Sequence, residues 1–287
     1  IKMKTNTDRL VQIAVAGQVA FARSFGPWEI SQSGQPFMLP SVGGITYNVK
    51  IGDLASGFEA DHVEPGVSIR RKEEPENAGL NTLACVGNIA TVISGEAKGS
   101  KGYVTGKHGG IEHVIIWFAQ DTLEKLGPED TIQIKSWGTG LAIEGLPEVK
   151  IKNLDPDLFA KMALQIKDGI LEVPVAATVP PYLMGSGMGS ATAHRGDYDI
   201  MTADPKAYKQ FGLDKLRFGD LVLLQDCDTI FGRGYLEGAV TVGVVVHSDC
   251  LLAGHGPGIT TLFTCKTPLI RGRKDENANI GYWLGIL

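Results

Sequence analysis

The chain has 287 residues, 43% hydrophobic and 21% charged, enough to bury one large core or two smaller ones without a disulfide or metal staple. Its net charge of −5 removes the electrostatic case for a nucleic-acid partner, because binding phosphates requires a basic face. No apolar run approaches the ~20 residues of a membrane-spanning helix, so integral membrane insertion is excluded as an expectation.

Glycine is the compositional outlier, with 37 residues scattered along the chain rather than packed into one tract. Glycine turns between β-branched runs predict many short strands, and the fold class is mainly β. The expected architecture is a small barrel-like, SH3-like N-terminal half (1–150) and a β-rich C-terminal half (151–287) with a few short helices. Cys85, Cys227, Cys250 and Cys265 are widely spaced, with no C-x-x-C among them, and read as buried free thiols in a reducing cytosol. Lys2, Lys4 and Arg9 before Leu10–Ala22 imitate a signal peptide, but Gln12 and Gln18 interrupt the run and suit a strand. The expected location is cytoplasmic.

In chain order, Leu10–Ala22 predicts a first strand and Ile45–Val49 another. The segment Asp61-His62-Val63-Glu64-Pro65-Gly66 then places three metal-binding or proton-carrying groups within four residues. In an extended segment His62 and Glu64 share one face and can act together. Arg70–Gly79 reads as a charged loop, and Leu83–Ser94 as a strand. Gly99–Gly110 followed by Val114–Phe118 reads as a hairpin closing a barrel, similar locally to the turns of SH3-like barrels. Within it Lys107 and His108, beside Gly109-Gly110, are candidates to hold an anionic substrate group. Asp121–Leu126 is a short helix. Thr131–Lys135 and Leu141–Glu144 are strands.

Asp155-Pro156 opens a helix, with a capping side chain and a first-turn proline, that continues by apolar spacing to Ile166. Ile170–Val179 is apolar and strand-like, and it leads into the glycine-rich Met184–Ile200. There Gly187 and Gly189 allow close backbone approach to a ligand, while His194, Asp197 and Asp199 offer metal-ligating or proton-moving groups. A short helix near Ala207–Phe211 precedes strands at Leu216–Leu224, Thr241–Val246 and Thr260–Thr264. His247-Ser248-Asp249 and Gly254-His255-Gly256-Pro257-Gly258 lie at strand ends, where sites concentrate.

Four stretches carry a resemblance over nearly the whole chain: Asp61–Gly66, Val104–Gly110, Ala193–Asp199, and Val246–Asp249 with Gly254–Gly258. On them the chain resembles an uncharacterised bacterial and archaeal family of β-rich proteins of unknown function. The stretch from Leu171 to Asp197 is also similar to part of the acetamidase/formamidase family, which implies amide hydrolysis with a metal. In that family His-x-x-x-Gly-Asp-Gly-Glu is expected, whereas here His194-Arg195-Gly196-Asp197 is shorter and is followed by Tyr198-Asp199.

The expected function is a metal-assisted hydrolase for an amide or other small polar substrate. Its ligands would be drawn from His62, His194, Asp197, His247 and His255, binding Zn or Mn and activating a water. Glu64 or Asp199 would be the general base, with Arg195 or Lys107 orienting a carboxylate or oxyanion. No nucleotide cofactor is expected. The alternative is a non-catalytic β-protein that binds a small molecule or anion. Shielding of strand edges suggests a homo-oligomer.

Overall fold

In the computed structural model of the chain, residues 3–24, 28–185 and 192–287 are described; Gly187 and Gly189 lie outside them. The fold is mainly β. Its strands are β1 (Ile13–Val19), β2 (Glu29–Ile30), β3 (Pro36–Phe37), β4 (Ile45–Thr46), β5 (Gly66–Arg70), β6 (Ile89–Val92), β7 (Lys101–His108), β8 (His113–Trp117) and β9 (Thr131–Ser136) in the first half. The second half holds β10 (Lys150–Ile151), β11 (Gln165–Lys167), β12 (Ile170–Val175), β13 (Ala177–Val179), β14 (Tyr198–Asp199), β15 (Leu221–Asp228), β16 (Gly234–His247), β17 (Gly258–Cys265) and β18 (Ile270–Lys274).

The first half closes into a six-stranded barrel in the order β1-β9-β6-β7-β8-β5, with β5 returning to β1 through Gln18↔Arg70 and Val19↔Ile69. Closure leaves these strands no free edge on which other chains can pair. Alternation drives it: Val67, Ile69, Val104, Val114, Ile116, Ile132 and Ile134 form a buried cluster, while residues between several of them face outward. The expected hairpin is present, with β7 and β8 paired from Tyr103↔Trp117 to His108↔His113. The second half is a sheet of order β10-β17-β16-β15-β13, with β14 beside β10 on the same edge of β17, and a smaller sheet β11-β12-β18. These strands read as nearly continuous apolar runs because both faces are covered; all eight residues of β17 are buried.

Three expectations change. Arg70–Gly79 is not simply a loop, because α1 (Glu74–Leu83) starts inside it with a proline and two acidic residues in its first turn and buries Leu80. Its charge density hides a one-sided helix. Leu141–Glu144 forms turns with a single bridge, Thr5↔Ile143, rather than a strand, since the glycines around it hold positive φ. The helix opened at Asp155 is α3 (Pro156–Lys161); its cap accepts from Asp157 N–H and Leu158 N–H as expected, but Ile166 belongs to β11. The helices α2 (Gln120–Leu123), α4 (Pro205–Gln210) and α5 (Ile280–Leu284) are short, and among the described residues no helix is long and apolar enough to cross a membrane. All four cysteines are free and buried.

Candidate metal centre

Pairing around Gly258 brings the first ligand groups together. Asp199 of β14 and His247 of β16 both pair with Gly258, one on each side of β17. Directly paired residues of antiparallel strands project to the same face, so both side chains converge over a residue that has none. A Cβ at position 258 would lie 2.1 Å from both Asp197 Oδ2 and His247 Nε2, so only glycine fits there. Asp197, two residues before Asp199, lies on the same face.

The barrel supplies the rest. Its strand β7 docks on the second sheet through Lys107, whose N–H donates to Thr260 Oγ1 and whose carbonyl accepts from it. Gly106, at a β-bulge, allows this approach, since a Cβ there would lie 2.1 Å from Val246 Cγ1. The next residue but one, His108, thereby stacks on His247 at 4.1 Å between ring centroids. A second bulge immediately precedes His247. The loop carrying His62 is clipped on by Val63 N–H to Ser248 Oγ, Ser248 N–H to Val63 O and His62 N–H to Asp249 O.

Five of the six histidines thus gather around buried carboxylates, with His113 behind the cluster. His62 Nε2, His255 Nδ1 and Asp199 Oδ2 form one triangle, with edges of 3.2, 2.9 and 3.6 Å. His247 Nε2 lies 2.7 Å from Asp197 Oδ2 and 3.5 Å from Asp199 Oδ1, with His108 in the same group. The other ring nitrogens are held from behind. His62 Nδ1 meets Asp61 at 2.9 Å, His108 Nδ1 meets Glu64 at 2.6 Å, and His247 Nδ1 donates to Ser248 O at 2.8 Å. Such outer partners fix the tautomer and orientation of ligating imidazoles.

His247 Nε2 faces carboxylate oxygens and needs either a proton or a cation between them. A carbonyl oxygen only accepts, so Nδ1 must carry the proton, and a neutral ring then turns its Nε2 lone pair toward a carboxylate at 2.7 Å. Without a metal, a second proton must fill the gap. Burial opposes that charge, but Asp197 and Asp199 outweigh it and lift His247 well above its ordinary value. Burial likewise opposes charge on Asp199, yet hydrogen bonds from His247, His255 and His62 hold its carboxyl well below the usual range.

Glu64, expected as a general base, is fully enclosed. Gly43 N–H and Ser68 Oγ–H donate to it, and His108 and His113 flank it, so it orients imidazoles and has no face toward a substrate. Asp199, the other expected base, sits among three imidazoles, those of His62, His247 and His255. His194 is not brought to the cluster: its Nε2 lies 3.2 Å from Lys152 Nζ, and burial with Lys152 and Lys107 pushes it down to about 4. Lys107 is wholly buried and donates to Asn153 Oδ1 and the His194 carbonyl, so it ties segments together rather than meeting an anion. His108, expected to hold substrate, joins the ligand group instead. Arg195 is half-buried; burial pushes the neighbouring Glu112 carboxyl up, and Arg195 only partly offsets that.

Reading the sequence missed His113, whose signal was its pairing across the hairpin from His108. It also put His62 and Glu64 on one face. His62 instead has φ 56°, and this left-handed turn breaks the alternation, so that His62 meets Asp61 while Glu64 meets His108.

A search of curated proteins finds no match. Among solved structures, one described as the crystal structure of TM1086 is similar over 99% of each chain, at 46% identity and a TM-score of 0.94. Two family models match end to end: the N-terminal domain of unknown function DUF4438 over residues 28–160 and its C-terminal counterpart over residues 161–284. These matches are to that family and not to the acetamidase/formamidase family that Leu171–Asp197 resembles. The chain therefore belongs to the DUF4438 family of β-rich proteins of unknown function.

Proposed function

We propose that this protein is a metal-dependent hydrolase acting on a small polar substrate, with its ion held by imidazoles and carboxylates from both halves of the chain. One observation carries the reading. Asp61, Glu64, Asp197 and Asp199 are buried together, and among the described residues their ion-pair partners are all histidines, with no lysine or arginine. Buried carboxylates need compensating charge. A divalent zinc or manganese ion supplies it with the donor set present, and such an ion lowers the pKa of a bound water to near neutrality.

In this reading His62, His108, His247, His255, Asp197 and Asp199 ligate, while Asp61, Glu64 and Ser248 orient. The His255 side chain, 29% exposed, is the ligand nearest solvent, so substrate enters on its side. The test is metal analysis of tag-free protein purified without chelator, followed by a screen of ester, amide and phosphoester substrates. Bound metal and a hydrolytic activity lost on chelation are expected. Protein that takes up neither zinc nor manganese would sink the reading, and metal binding without turnover on any substrate class would favour a binding protein.

A further inference from the structure

We propose that the centre holds two divalent ions bridged by the Asp199 carboxylate; this rests on the metal reading above and extends it from one ion to a pair. A tetrahedral ion with bonds of about 2.0–2.1 Å separates its ligand atoms by about 3.3 Å. The triangle of His62 Nε2, His255 Nδ1 and Asp199 Oδ2, with edges of 3.2, 2.9 and 3.6 Å, is such a face. It leaves a fourth position on the His255 side.

The second group does not share these atoms. It consists of His108, His247 Nε2 and Asp197 Oδ2. Glu64 occupies His108 Nδ1, so Nε2 is the nitrogen left to His108 for an ion. Asp199 reaches this group with its other oxygen, Oδ1, 3.5 Å from His247 Nε2. One carboxylate with one oxygen in each group is the geometry of a bridging ligand, and paired ions in hydrolytic sites lie about 3.5–4 Å apart. Asp197 is oriented for the second group alone, because its Oδ1 accepts from Gly109 N–H.

Charge leads to the same count. With neutral imidazoles the four carboxylates of Asp61, Glu64, Asp197 and Asp199 carry four negative charges, which two divalent ions balance and one does not. A third grouping, Asp61, His62 and Cys250, would draw on the His62 nitrogen that already meets Asp61. It therefore serves as a control.

The experiment is reconstitution of the stripped, tag-free full chain with Zn²⁺ or Mn²⁺, desalting, and elemental analysis, with electron paramagnetic resonance of the manganese form. Roughly two ions per chain and a spin-coupled spectrum are expected. His255→Ala and His108→Ala should each retain about one ion, from opposite groups, and Cys250→Ser should retain two. One ion in the wild type overturns the pair while leaving the metal reading intact; none overturns both. Two ions without spin coupling overturn the bridge. The wild-type count and spectrum decide the question even if a variant fails to fold, and circular dichroism melts identify such a variant.

Discussion

At Gly258 the site depends on a side chain that is absent, and at Glu64 on a charge that is buried. The missing side chain at Gly258 leaves Asp197 and His247 room to meet, and any Cβ there would sit 2.1 Å from both. Gly258→Ala is therefore expected to lower stability by about 1–3 kcal/mol through overpacking and to abolish metal uptake. A denaturant melt together with elemental analysis checks both. Unchanged metal content would show that the close approach is dispensable. Glu64 works through its charge: burial opposes ionisation, but His113 and His108 outweigh it and hold the carboxyl well below its usual range. A lowered carboxyl stabilises the fold above its unfolded value, about 4.5, and that contribution fades as pH falls through the folded value. Glu64→Gln should cost about 1–3 kcal/mol at pH 7 through the buried donors it leaves poorly paired, and metal-free variant and wild type should converge in stability as the pH drops below 4.5. Urea titrations at several pH values read the difference directly; a constant gap down to acid pH would argue against this role.

Among the elements, strand ends and bulges place the clustered imidazoles and carboxylates, and a second set of bonds holds the strands in place. Asn153, at φ 51°, donates to the carbonyls of Ala193 and Thr261 and accepts from Lys107 Nζ, joining β7, β17 and the approach to β14. Asn153→Ala should loosen Asp197 and Asp199 together, weakening metal affinity by about 10–100-fold, the usual consequence of losing outer support. Competition with a chelating dye measures this. Asp155→Ala removes the cap of α3 and should cost about 1 kcal/mol in a thermal melt with metal affinity unchanged, since among the described residues its side chain bonds to α3 and Asn88. A matching loss of affinity in that control would mean that the centre responds to general destabilisation and not to the Asn153 support.

On the scale of the molecule, His62 and His108 come from the first half of the chain, and Asp197, Asp199, His247 and His255 from the second. Each candidate group draws ligands from both halves, so ions bound there would tie the barrel to the second sheet. Metal at 1,000 times its dissociation constant adds about 4 kcal/mol to folding, so chelation should lower the melting temperature by several degrees. Calorimetry of holo and stripped protein checks it, and identical melts would contradict an ion shared between the halves. The short hairpin β2–β3 exposes Trp28 and Ile30 at 65% and 59%, with Met38 beside it at 61%. Exposed apolar residues of this size suit a self-association surface, and light scattering is expected to show an oligomer rather than a monomer.

Much of this was legible locally. Strand alternation and scattered glycines determine the mainly β class, the β7–β8 hairpin and the capped helix at Asp155, because these depend on neighbours within a few residues. The motifs at Asp61–Glu64, Asp197–Asp199 and His247–His255 also stand out, since imidazoles and carboxylates at strand ends are chemically conspicuous in any fold. Which of them meet was decided only by tertiary structure. His194 lies three residues from Asp197, yet it turns toward Lys152, while His108 and His113 enter from a distant hairpin. The sequence specifies side-chain direction only while the alternation is regular. The left-handed turn at His62, the bulges before His108 and His247, and the docking of β7 on β16 across Gly106 each reset it through long-range packing.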